Sequence, residues 1–220
     1  SINVIAAVSN LKGINELSKL ESTAYIGQDV SGEGGLNEAL PQINVDQVYS
    51  EYGLTGKDIH VAVLDTGIDT DHADLSDSVE SQVCFADFCP NGADNAEDDN
   101  GHGTHVSGII SSRGVLSPVG VARNTRIHTV KVLDSSNGFS SSSIIIEALD
   151  HIINNLPQVN LVNMSLGTYD RFESFCDDQY VYTSAFANVI NTLRERWSVS
   201  FVASINNESS YSISSAAFIA

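Results

Sequence analysis

Positive charge is scarce in this chain. Ten Lys and Arg stand against 28 Asp and Glu in 220 residues, a net charge of −18 with histidine neutral. A protein that grips a phosphate backbone needs a basic footprint, so no nucleic-acid partner is expected. Long apolar runs are lacking too. Nothing approaches the roughly 18 consecutive residues that cross a bilayer, so no membrane partner is expected. Three cysteines with no CxxC spacing (Cys84, Cys89 and Cys176) argue against a structural zinc site. Cys84 and Cys89 bracket four residues and have the spacing to close a small disulfide loop in an oxidising compartment; Cys176 is then free or paired outside the chain. Glycine stops early: none follows Gly167, so no Gly-x-Ser turn exists in the rest of the chain. No basic and apolar leader opens the sequence, and the numbered chain reads as an internal piece of a longer precursor.

What is present alternates. INVIAAV at 2–8 predicts a strand, NLKGINELSKL at 10–20 a short helix and TAYIG at 23–27 a second strand, followed by the flexible break SGEGG at 31–35. Beyond it, IHVAVL at 59–64, RIHTVKVL at 126–133, VNLVNMSL at 159–166 and SVSFVAS at 198–204 read as strands. Helices are expected from 102 to 112, over 140–156 with a serine N-cap, and over 178–196. The helix at 140–156 carries an apolar stripe of Ile145, Ala148, Leu149, Ile152 and Leu156. This order predicts an α/β fold, a mostly parallel sheet covered on both faces. In such sheets function gathers beyond the carboxyl ends of the strands, where Asp65, Ser165–Gly167 and Asn206 fall.

Three motifs carry chemistry. VAVLDTGID at 61–69 places a carboxylate after a buried strand. It suits an aspartic dyad, which needs a second copy, or a carboxylate that orients a histidine. NGHGTHVSGI at 100–109 puts two histidines three apart on a helix, and metal ligation is weighed against general base catalysis. The small Gly103 and Thr104 between them suit close packing at a helix start; His102 reads as the base and His105 as a packed, hydrogen-bonded histidine. LVNMSLG at 161–167 ends a strand on an extended edge that a peptide can join.

In this order, Asp-Thr-Gly followed 37 residues later by His-Gly-Thr-His, the chain resembles the subtilase family of serine proteases over roughly residues 40–220. The resemblance implies a three-layer subtilisin-like fold and endopeptidase action on polypeptides. Asp65 becomes the triad aspartate, His102 the triad base, and Ser165, Leu166 and Gly167 line the substrate cleft. FVASINNESS at 201–210 is similar to the segment that carries the family's oxyanion amide, which puts Asn206 in the oxyanion hole. Ile205 stands there where the family usually has glycine, and Asn207 is the fallback. Residues 1–30 resemble the C-terminal part of an inhibitory propeptide, 31–41 the linker where processing falls, and 42–220 the N-terminal part of a catalytic domain. A secreted zymogen is implied, needing no cofactor for catalysis. Structural calcium is implied at Asp74, and the acidic loop at 94–99 offers further oxygen ligands. The family's serine lies in a Gly-Thr-Ser-Met-Ala block that has no counterpart in these 220 residues. The alternative to a protease is a non-catalytic, peptide-binding or partner-binding subtilase-like pseudoenzyme.

Overall fold

An apolar run with no polar face needs cover on both sides. The residues after Ile59 obtain it in the computed structural model of this protein, which describes residues 11–22, 36–168, 171–172, 177–197, 199–203 and 213–214. The chain divides into two compact units, Ser1–Gly35 and Leu36–Ala220. The described part of the first holds one helix, α1 (Leu11–Leu17); the strands expected at 2–8 and 23–27 lie outside the described residues.

The second unit opens with helices α2 (Leu36–Gln42) and α3 (Val45–Tyr52), so the stretch read as a linker is helical from Leu36 onward. Strand β1 (His60–Asp65) is followed by β2 (Val79–Cys84), helix α4 (His102–Ser111), β3 (Arg126–Lys131), helix α5 (Ser142–Asn155) and β4 (Leu161–Met164). Next come β5 (Arg171–Phe172), helix α6 (Val181–Trp197), β6 (Ser200–Ala203) and β7 (Ile213–Ser214). Five strands form one parallel sheet in the order β2-β3-β1-β4-β6; β5 and β7 pair antiparallel apart from it. Strand β2 has no counterpart among the sequence expectations. It is an edge strand reading VESQVC, and only Cys84 in it is buried.

Alternation along β1 divides the core. Ala62 and Leu64, with Val130, Val162 and Met164, face Ile145, Ala148, Leu149 and Ile152 of α5 and Phe186, Ile190 and Leu193 of α6. Val61, Val63 and Ile127 face the other way, onto Val106 and Ile110 of α4. Each side chain withdrawn from water contributes about 1.5–3 kcal/mol, which fixes the sheet between two helical layers. Ser141 caps α5, its hydroxyl accepting the Ser143 N–H. Cys84 and Cys89 are disulfide-bonded; Cys176 lies outside the described residues.

In the middle of β3, beside Ala62, His128 is 1% exposed. Its Nε2 lies 2.9 Å from His60 Nδ1, and its Nδ1 lies 2.6 Å from the Ser81 hydroxyl. Burial and the neighbouring His60 hold its pKa down to about 4, against the opposing pull of Glu80. A histidine whose pKa drops on folding stabilises the fold fully above its ordinary 6.5, and that contribution disappears as pH falls through about 4. At about 1.4 kcal/mol per unit, the loss totals about 3 kcal/mol. Urea unfolding measured from pH 7.5 to 4 should therefore show a steeper fall for the wild type than for His128→Gln. Equal slopes would remove this histidine from the acid response.

Candidate active site

Parallel pairing brings the ends of four strands to one edge. Asp65 pairs with Lys131, Leu64 with Met164, and Met164 with Ala203. Ser165 thus leaves the sheet beside Asp65, and Asn163 Nδ2 donates to the Ser165 hydroxyl at 3.0 Å. Leu166 packs partly buried against the α5–α6 core, and Gly167 is exposed. Asn206, Asn207 and Ile205 lie outside the described residues.

Helix α4 lies over the Asp65 end of β1. Its buried positions are Gly103, Ser107 and Ser111, four apart and therefore on one face. His102, one residue before Gly103, is half-buried, whereas His105 points away from the Gly103–Ser107–Ser111 face and is exposed. The expectation of a packed His105 is thus corrected: Gly103, Ser107 and Ser111 make the fully buried face, flanked by the partly buried Val106 and Ile110. The close approach rests on two glycines. Gly103 has no side chain, and a Cβ there would stand on the Gly67 carbonyl oxygen. Gly67 has φ +113°, and its own Cβ would strike the Ala96 carbonyl.

Asp65 and His102 meet as a result. His102 Nδ1 lies 2.7 Å from Asp65 Oδ1, the histidine side chain 34% exposed and the aspartate 1%. The same oxygen accepts the Thr66 N–H at 2.7 Å. Burial pushes the Asp65 carboxyl above its ordinary value, against the His102 and Thr66 donors, which favour the charged form. Its Oδ2 is buried with no hydrogen-bond partner among the described residues. An acceptor on one ring nitrogen fixes the proton there and leaves Nε2 with a lone pair turned away from Asp65, the arrangement a general base requires.

The acidic loop is engaged internally. Glu97 accepts the Thr70 hydroxyl at 2.7 Å, and Asp98 takes five donors. Asp99 pairs with Lys131 at 2.6 Å, and Lys131, 0% exposed, also donates to the Thr66 carbonyl at 2.5 Å. Asp74 is equally committed. Its Oδ1 accepts the Val115 N–H, and its Oδ2 accepts the Leu116 and Ser117 N–H groups and the Ser117 hydroxyl at 2.9–3.0 Å. Burial alone would raise its carboxyl, but these donors outweigh it and hold the pKa at about 2. A calcium ion would need the lone pairs that face these hydrogens, so the residues do not fit a calcium ion at Asp74. Among the described residues no three His, Cys, Asp or Glu gather as a metal-ligand set, and no helix is long and apolar enough to cross a membrane.

Residues 56–218 match the model of the Subtilase family. Subtilisin E of Bacillus subtilis is 35% identical over 170 residues, 76% of this chain and 42% of the relative. The major intracellular serine protease of the same organism is 36% identical over 133 residues, 60% of this chain and 41% of the relative. An extracellular serine proteinase of Thermus is 38% identical over 116 residues, covering 53% and 26% respectively. The chain spans at most about two fifths of the length of these relatives.

Proposed function

This chain belongs to the subtilase family, and from that premise we propose that residues 42–220 are the N-terminal part of the catalytic domain of a serine endopeptidase. The observation that carries the reading is the 2.7 Å contact between His102 Nδ1 and the buried Asp65 carboxylate. In this reading His102 takes the proton of a serine hydroxyl on Nε2 and returns it to the leaving amine. Asp65 holds the Nδ1–H tautomer and stabilises the imidazolium. The backbone of Ser165–Gly167 offers an edge to an extended polypeptide substrate, and Asn206 is assigned the role of donor to the developing oxyanion. Residues 1–30 are the C-terminal part of a propeptide; what supports this is that Ser1–Gly35 forms a compact unit of its own. Secretion as a zymogen is the matching compartment, supported by the Cys84–Cys89 disulfide and by a relative named as extracellular.

The nucleophile is a serine outside these 220 residues. The test joins the chain to the coding sequence that follows Ala220. A product carrying a Gly-Thr-Ser-Met-Ala-like block should be labelled by a fluorophosphonate on that serine, while the 220-residue chain alone leaves casein intact. Casein hydrolysis by the 220-residue chain that disappears on His102→Ala would overturn the reading. A folded, extended product that takes no label would favour the peptide-binding pseudoenzyme instead. Activity removed by chelators but untouched by the fluorophosphonate would point to metal-assisted hydrolysis.

A further inference from the structure

Helix α4 starts without a cap of its own. Its N-cap is Gly101, which has no side chain to accept the first-turn amides. Asp98 supplies the acceptor from three residues upstream. Its Oδ1 accepts the N–H groups of Asn100 and Gly101 at 3.0 and 2.9 Å. Its Oδ2 accepts the Thr104 N–H at 2.9 Å and the Thr104 hydroxyl at 2.5 Å. Negative charge is also favoured at a helix N-terminus by the macrodipole. The carboxylate reaches further still. Oδ1 accepts the hydroxyl of Thr66 at 2.8 Å, and that hydroxyl accepts the Gly103 N–H at 2.8 Å. Thr66 is 0% exposed and is bonded directly to Asp65 in sequence; Gly101 and Gly103 flank His102. The two halves of the Asp65–His102 pair come from segments 37 residues apart, and a third residue grips both.

We propose that Asp98 is the positioning residue of this site: one carboxylate that sets the start of α4 against the end of β1 and so holds the His102 ring on Asp65. The proposal rests on the reading of Asp65 and His102 as a catalytic pair. Burial would raise the Asp98 carboxyl, but its donors outweigh burial and hold the pKa at about 2, so the group stays ionised wherever an ordinary imidazole titrates. An amide at this position keeps the shape but offers one oxygen and an NH2 group. The NH2 would meet N–H and O–H donors head-on, which no rotamer relieves.

The test reads the His102 tautomer by 15N NMR in the 220-residue chain, where no serine is required. In the wild type the proton resides on Nδ1. In Asp98→Asn the Nδ1–H to Nε2–H ratio should fall by about tenfold or more, the size of effect a lost hydrogen bond to a charged group allows. Asp94→Asn removes the same charge from an exposed position in the same loop and should leave the ratio unchanged. Thr66→Val keeps the Asp98 bonds to Asn100, Gly101 and Thr104, removes the Thr66 link between Asp98 and the Gly103 N–H, and should also lower the ratio, so it decides the matter if Asp98→Asn does not fold. An unchanged ratio in a folded Asp98→Asn or, failing that, in Thr66→Val would overturn the proposal. A wild type already protonated on Nε2 would overturn the underlying catalytic pair instead. Fluorophosphonate labelling of the extended protein tests that pair without reference to Asp98.

Discussion

Replacing His102 by alanine is expected to lower kcat by about six orders of magnitude in the extended, serine-bearing protein. That is the loss measured when the base of a related triad is removed. Without the imidazole, no described residue near the Asp65 end of β1 is placed to take its role. The Asp65 carboxylate is buried, 1% exposed, behind the ring position with its Oδ1 on the Thr66 N–H, and the nearby Asp98 is saturated with five donors. KM should change little, because His102 contributes to the transition state more than to holding the substrate. Retention of activity within tenfold would remove His102 from the chemistry. Loss of folding would show separately as a lost melting transition, and a half-exposed histidine at a helix start gives no reason to expect it.

The second large effect belongs to a glycine. Gly103→Ala should destabilise the protein by about 3 kcal/mol, the upper range for overpacking a rigid site. The new Cβ would stand on the Gly67 carbonyl oxygen, with the Gly67 nitrogen and the Asp65 Cβ at 3.0 and 3.1 Å, and none of these is the free end of a flexible side chain. At roughly 2–4 °C per kcal/mol for a chain of this size, melting should fall by roughly 6–12 °C. If the helix yields instead, it moves away from Asp65, and a displacement of about 1 Å costs on the order of 100-fold in rate. Gly108→Ala is the matched control. It lies in the same helix with nothing within 4 Å of its would-be Cβ, and should raise stability by about 0.5–1 kcal/mol. If both variants melted alike, the close approach of α4 to β1 would not be a constraint.

These two residues also mark how much was legible beforehand. The strand at β1 and the helix at α5 announce themselves, because Val61–Leu64 leave no polar face and Ile145, Ala148, Leu149 and Ile152 recur at helical spacing. The edge strand β2 does not, since Glu80, Ser81 and Gln82 answer to one neighbour and to solvent. The fully buried face of α4 escapes for a different reason: Gly103, Ser107 and Ser111 are small and carry no apolar side chain, so their four-residue spacing leaves no hydrophobic trace and nothing in the pattern turns His105 outward. Asp65 and His102 are picked out by their motifs, and the fold brings them into contact. Asp98 and Asp74 are visible only as acidic residues. Their partners, Thr66 and Val115–Ser117, lie 32 and 41–43 positions away. Whether a carboxylate meets hydrogens or a cation depends on that long-range geometry.

The buried ammonium of Lys131 has a practical consequence. The sequence holds four lysines. Lys12, Lys19 and Lys57 lie exposed, whereas Lys131 is 0% exposed between Asp99 and the Thr66 carbonyl. An amine-acylating reagent therefore meets three ready targets and one that becomes reactive only when the sheet beneath the candidate site comes apart. The mass of the peptide containing residue 131 then becomes a clock for opening, read in a mass spectrometer without any engineered label, with the other three lysines as its internal reference.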